Sequence, residues 1–302
     1  MHWAKTALLI IIAVTLVATV GFFLRPVSYV NAAMYLQEDF AGIDSLYVQV
    51  AGHRVHYLAQ GPRNGPVVVL IHGLGSRAED WRYLAAFLAN AGFRVYTPDL
   101  LGFGRSDHPA DFSYSIQDEA TIVVGFLDAL GLKQVNLGGW SMGGWIVQFV
   151  ALEHPERVSK LMLFDSAGLY AKPSFNIALF TPTTAAELDE LDALLFPEPP
   201  KVPWYVARDF LRLSRIHGWV IKRAVAQMLT AHDVTNNLLP QLKMPVLLAW
   251  GNLDRITPLD QAVTMRRLIP QSQLDVIVGC GHMAPLQCTT ELGPRVVRFA
   301  LQ

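Results

Sequence analysis

Gln134-Val135-Asn136-Leu137-Gly138-Gly139-Trp140-Ser141-Met142-Gly143-Gly144 is the stretch on which the fold turns. Gln134–Gly138 patterns as a short buried strand, and Met142 to about Glu153 as a helix stopped by Pro155. Between them Gly139 to Gly143 fits G-x-S-x-G. A serine at a sharp strand-to-helix turn has its hydroxyl exposed at the head of a sheet, with small neighbours letting other backbone approach. The N-terminus of the following helix favours developing negative charge beside it. Ser141 is therefore the candidate nucleophile.

Outward from this turn the chain alternates. Val67–Ile71 is a continuous β-branched and leucine run, as a strand buried on both faces requires. Trp81–Ala91 has helical spacing, Phe93–Thr97 reads as a strand and Ser115–Leu130 as a helix. Strands follow at Lys160–Phe164, Val246–Trp250 and Leu274–Val278, with helices at Leu259–Leu268 and about Glu291–Leu301. Ahead of the series, Leu46–Val50 and Val55–Ala59 flank a turn at Ala51-Gly52-His53 and predict a hairpin. Such alternation implies an α/β fold, a mostly parallel sheet with helices on both faces.

A serine hydroxyl needs a base, and the base needs a carboxylate. His282, in Gly279-Cys280-Gly281-His282, lies just past the last strand on a glycine-rich loop and so emerges at the same sheet edge as Ser141. His53 and His56 lie in the early hairpin, His154 precedes a proline, and His217 and His232 fall in a helical insertion. Asp254 follows the strand Val246–Trp250, 28 residues before His282. Asp165, at the end of Lys160–Phe164, is the rival acid; its plain alternative is a capping aspartate. His72-Gly73-Leu74-Gly75 follows Val67–Ile71, where one backbone donor to an oxyanion would sit; the N–H groups of Leu74 and Met142 are the expected pair. His72 itself is expected to organise that loop. No metal or organic cofactor is implied.

Together His72-Gly-Leu-Gly75, Asp99-Leu-Leu-Gly-Phe-Gly-Arg-Ser-Asp107, Gly139 to Gly144, Gly251-Asn-Leu-Asp254 and Gly281-His282 resemble the α/β-hydrolase superfamily in order and spacing, over about residues 46–302. The Asp99–Asp107 loop lacks the lysine of a phosphate-binding loop. The resemblance implies a serine hydrolase cleaving carboxylic esters through Ser141, His282 and Asp254. A serine at the turn points away from dehalogenases and epoxide hydrolases, which use a carboxylate. Asp165-Ser-Ala-Gly-Leu169 and Thr181-Pro182, with an N-terminal anchor, resemble the membrane-anchored monoacylglycerol-lipase branch, implying lipid esters such as monoacylglycerols. A carbon–carbon bond hydrolase, a cofactor-free haloperoxidase or acyltransferase, and a non-catalytic binding protein are the alternatives on the same scaffold.

The rest of the chain sets boundaries. With 302 residues, 16% charged and a net charge of −1, it has room for one α/β domain with an insertion and no cationic excess for nucleic acid. Thr6–Leu24 is a run of 19 residues without a charge, about 28 Å as a helix and close to the ~30 Å bilayer core. Residues 1–25 are expected to be a single-pass anchor; a cleaved signal peptide with a site near Val30-Asn31-Ala32 is the alternative, against which the length of the run argues. Lys5 and Arg25 flank the run and leave the membrane side open. Residues 26–44 read as a juxtamembrane connector, with Tyr29 and Tyr35 suited to the headgroup zone. The core is expected over 45–165 and 244–302, and a helical cap over 166–243. Within the cap Glu187 to Glu198 is acidic, whereas Lys201, Arg208, Arg212, Arg215, Lys222 and Arg223 alternate with Trp204, Tyr205, Phe210 and Trp219. That is either a solvated helical face or a surface resting on anionic lipid. Cys280 reads as an ordinary buried thiol, with a bridge to Cys288 possible only in an oxidising compartment.

Overall fold

The computed structural model describes residues 2–302, save the side chains of His2, Ala4, Lys5 and Leu8, so the topology signal expected of Lys5 lies outside the described residues. In chain order the elements are α1 (His2–Leu24), α2 (Pro26–Phe40), β1 (Asp44–Val50), β2 (His53–Gln60), β3 (Val67–Ile71), α3 (Arg82–Asn90), β4 (Arg94–Pro98), α4 (Ile116–Ala129), β5 (Val135–Trp140), α5 (Met142–Glu153), β6 (Val158–Phe164), α6 (Ala185–Leu195), α7 (Trp204–Met228), β7 (Val246–Gly251), α8 (Leu259–Leu268), β8 (Gln273–Ile277), α9 (Ala284–Gln287) and α10 (Thr289–Leu301).

One eight-stranded sheet runs β1-β2-β4-β3-β5-β6-β7-β8. β1 and β2 pair antiparallel, as does β2 with β4, and every later pairing is parallel. Successive residues point to opposite faces. Val69, Ile71, Leu161, Leu163, Leu248 and Trp250 pack under α4, α5 and α8. Val68, Leu70, Met162, Phe164, Leu247 and Ala249 meet Leu84, Leu88, Leu292 and Val296 of α3 and α10 on the other face. The continuous apolar runs follow from this two-sided burial. Because β4 lies outside β3 while β5 lies on its other side, the winding direction reverses between β3 and β5. A crevice opens beyond the carboxyl ends of strands at such a point, and the turns after β3 and β5 meet there.

Two regions differ from expectation. Residues 26–44 are not a bare connector, because α2 is docked on the core. Pro26 occupies its first turn, and the Val27 N–H donates to the buried Asp209 carboxylate at 3.1 Å. Asn31 accepts from Arg77 at 2.8 Å, the Arg105 guanidinium stacks 4.1 Å over Tyr35, and Glu38 accepts from Arg105 at 3.0 Å. Tyr35 is half-buried under Arg105. The second difference is a disulfide between Cys280 and Cys288, in place of the free thiol expected. The single turn of α9 folds the chain back and brings their Cα atoms to 6.4 Å, within bridging range.

Among the described residues no single helix is long and apolar enough to cross a membrane, but Leu9–Leu24 with Pro26–Phe40, bent by 106°, passes as a pair by length and composition. Leu9, Ile10, Ile11, Val14, Leu16 and Val17 of α1 are all exposed.

Candidate active site

Ser141 sits where β5 stops and α5 starts, with φ +55° and ψ −118°, a conformation a serine adopts only under tertiary constraint. Its N–H donates to Phe164 O at 3.0 Å and its carbonyl accepts from Ala167 N–H at 3.0 Å, which pins the turn to β6 and the segment after it. Gly143 is required by close approach, since a Cβ there would lie 2.3 Å from Ile71 O. Gly73 likewise abuts the turn: its Cβ would fall 3.1 Å from that of Ser141. The loop after β3 is therefore held against Ser141. Met142 opens α5, so its N–H is one of those without an intrahelical acceptor.

The other two candidates arrive from the same sheet edge. His282 Nε2 lies 2.9 Å from Ser141 Oγ, and its Nδ1 lies 2.8 Å from Asp254 Oδ2. Both His282 and Asp254 are buried. Asp254 Oδ1 accepts from the N–H groups of Ile256 and Thr257 at 2.7 and 2.9 Å, and Oδ2 accepts from Thr257 Oγ1 at 2.7 Å. The Trp140 indole N–H donates to His282 O at 2.8 Å and fixes the loop that carries the imidazole. An imidazole with a carboxylate on Nδ1 and a hydroxyl on Nε2 can take the hydroxyl proton while the carboxylate steadies the resulting cation.

Asp165 is fully buried, holds φ +43°, and accepts from Gly251 N–H at 2.7 Å. Burial first, and then the charge of Asp254, push its carboxyl well above the usual range, which favours its protonated form. Among the described residues it makes no hydrogen bond to His282. His72 is buried too, and burial pushes it down, leaving it neutral. It donates from Nδ1 to Gly73 O at 2.8 Å and accepts Leu100 N–H at 3.0 Å, as a loop organiser should.

Thr257 and Trp140 escaped the sequence reading, although Asp254 followed by Ile256 and Thr257 carries a recognisable aspartate-turn pattern. So did a second constellation. His56 Nδ1 lies 2.7 Å from Asp99 Oδ2 and Nε2 lies 3.1 Å from Ser45 Oγ. Burial alone would raise Asp99, but the hydrogen bond with His56 and its other partners outweigh this and hold it low. None of the three lines the cavity described next, and Asp99 accepts from the N–H groups of Ala78 and Arg105, so the group ties loops together.

Ser141 and His282 open into a cavity of about 900 Å³. Leu74 lines it beside them, with Phe180 and Leu191 of the insertion between β6 and β7, Val206 and Met228 of α7, and Val27 of α2. Of the basic residues on α7, the exposed Arg208 and Arg223 donate to Phe23 O and Ala110 O, and Arg212 to Asp209.

The sequence profile of the family described as alpha/beta hydrolase fold matches residues 66–287. The chain belongs to that family. This hydrolase is 28% identical over 261 residues to Lipase 1 of Psychrobacter immobilis, covering 82% of this chain and 81% of the relative. It is 31% identical over 271 residues to the 2-hydroxymuconate semialdehyde hydrolase of Pseudomonas putida, covering 83% and 92%. A solved membrane phospholipase A, described as a bacterial virulence factor, superimposes with a TM-score of 0.83 at 27% identity, over 99% of this hydrolase and 98% of that chain.

Proposed function

We propose that the protein is a membrane-anchored serine hydrolase of carboxylic esters, with lipid esters such as monoacylglycerols as its substrates. The observation that carries this reading is the hydrogen-bonded series Ser141–His282–Asp254 at the wall of an apolar cavity. Ser141 Oγ attacks the ester carbonyl carbon while His282 Nε2 takes its proton. The oxyanion is held by the N–H groups of Leu74 and Met142, each donor of this kind contributing about 2.7–4 kcal/mol to the transition state. Collapse breaks the bond to the alcohol, which leaves with the proton from His282. Water, deprotonated by His282, then attacks the acyl-enzyme and releases the acid and Ser141. No cofactor takes part.

Three observations support the lipid and membrane side of the reading. The cavity wall is largely hydrocarbon, the exposed apolar helix α1 precedes it, and similarity extends to a lipase and to a membrane phospholipase A. In this reading residues 1–25 are the anchor, 45–165 and 244–302 the core, and 166–243 the cap. The Cys280–Cys288 bridge fits an oxidising compartment and supports, in this reading, an extracytoplasmic core. The partner is then a small lipid ester drawn from the membrane. A carbon–carbon bond hydrolase is the second reading, favoured by the identity to the semialdehyde hydrolase.

A fluorophosphonate probe is expected to label the purified protein, and Ser141→Ala to abolish both labelling and ester turnover. Labelling that persists in the variant removes Ser141 from the mechanism. Turnover of a vinylogous diketo acid in preference to every ester in a chain-length panel would favour the second reading.

A further inference from the structure

The acidic helix α6 holds one carboxylate that its neighbours leave without a partner. Leu188, Asp192 and Leu195 follow one another at intervals of four and three residues, so the aspartate stands inside an apolar stripe. Asp189 and Glu190 are exposed, whereas Asp192 is only 9% exposed and lines the cavity that holds Ser141 and His282. Among the described residues no donor reaches its side chain. Burial, with a smaller contribution from Asp189, pushes its carboxyl up to about 6. A carboxyl that is shielded from bulk water, has no protein donor and faces a cavity is free to accept a hydrogen bond from whatever enters it.

Its position relative to the reacting groups follows from how α6 is clamped. The Arg255 guanidinium, next to Asp254, donates to Ala193 O at 2.6 Å. Leu195 O lies against Gly281, where a Cβ would come within 2.8 Å of it, and Gly281 precedes His282. Asp192 is one turn back along the helix from that contact, about 4.5 Å by the rise per residue. In the proposed mechanism His282 hands its proton to the leaving alcohol, so the end of the cavity beside His282 is the end where the alcohol sits.

We infer that Asp192 is a leaving-group subsite that accepts a hydrogen bond from a free hydroxyl of the substrate's alcohol portion, selecting esters of polyhydric alcohols. This rests on the ester-hydrolase reading and narrows it. A hydroxyl satisfies the carboxyl whichever way it is protonated. An anionic alcohol portion is repelled, since Asp80 and Asp260 also line the cavity and Lys172, the one Lys or Arg among the lining residues, is exposed. A quaternary ammonium brings charge but no donor, and leaves the lone pairs of Asp192 unmet.

The test compares kcat/KM of the full-length protein for decanoylglycerol, methyl decanoate and decanoylcholine, in wild type, Asp192→Leu and Asp192→Asn. The expected result is a drop of about tenfold or more for decanoylglycerol in Asp192→Leu, the scale of one lost hydrogen bond to a charged group. Methyl decanoate should stay within about twofold, and Asp192→Asn, which keeps an acceptor oxygen, should fall between. Equal losses on all three esters, or none, overturn the subsite and leave the ester reading standing. A loss confined to decanoylcholine overturns it in favour of a cation site. A wild type that hydrolyses none of the three removes the ester reading and the subsite with it.

Discussion

Asp254 and Asp165 show how two carboxyls a few ångströms from the same loop take different parts. Asp254 is surrounded by donors: two backbone N–H groups, the Thr257 hydroxyl and His282. Asp165 receives one N–H, and burial together with the neighbouring Asp254 raises its carboxyl and favours the protonated form. Asp254→Asn is therefore expected to lower kcat on a soluble ester by about 10⁴-fold, the scale for losing the acid of such a triad. Asp165→Asn, which keeps a polar group of the same shape at a position that makes no hydrogen bond to His282, should cost far less. Measuring both variants on one ester checks the assignment, and a larger loss at Asp165 reverses it. The loss should be smaller still for Thr257→Val if the two backbone donors alone orient Asp254.

At the scale of elements, α6 and the loop bearing His282 depend on each other. Asp192 has its proton affinity raised from an ordinary value of 3.8 to about 6 in the folded chain. Between those values the native state binds the proton that the unfolded chain has released, so stability falls as pH rises through this window. Above about pH 6 the full penalty is present; below the unfolded value it is gone. Asp192→Asn is thus expected to raise Tm at pH 8 and to leave it nearly unchanged at pH 3.5, which a pair of thermal melts will show. A gain of the same size at both values would mean that the charge is not its cause. The Cys280–Cys288 bridge closes a short loop around His282 and contributes about 2–3 kcal/mol in the chain-entropy view. Reduction, or Cys280→Ser with Cys288→Ser, should lower Tm by several degrees and slow turnover by loosening His282, whereas Ser141 labelling should survive in part. Unchanged melts under reductant would show that the turn of α9 holds the loop without the bridge.

In the proposed reading the whole molecule divides into an anchor and a reacting domain, joined by α2. Deleting residues 2–24 is expected to release the protein from membranes and leave turnover of a short soluble ester within about twofold. If the truncated protein still sediments with membranes, another surface holds it there. Deleting residues 2–40 should do more. It strips Glu38 from Arg105, Asn31 from Arg77 and Val27 from Asp209 and the cavity wall, although Arg105 and Arg77 keep Glu79 and Asp209 keeps Arg212. Each lost hydrogen bond to a charged group contributes about 1.5–3 kcal/mol, so this longer truncation is expected to melt below the shorter one. Equal melting temperatures would show that α2 is an accessory to the core.

Local sequence carried the sheet and the geometry of the candidate site because both obey short-range rules. Strands buried on two faces must be continuously apolar, as Val67–Ile71 and Val246–Trp250 are, and the glycines around Ser141 are demanded by backbone that passes within van der Waals contact. The order of Ser141, Asp254 and His282 could be read for the same reason, since each follows a recognisable strand. Docking of α2 could not be read, because Asn31, Tyr35 and Glu38 form a polar stripe at four- and three-residue spacing that meets Arg77 and Arg105. Hydrophobic periodicity has no means of seeing such a face. The pairing of Cys280 with Cys288, and the inward aim of Asp192 among outward acids, likewise depend on where other segments come to lie. Ser141 owes its place to the residues beside it in the chain. What its cavity will accept is decided by α2, α6 and α7, whose contacts exist only once the chain has folded.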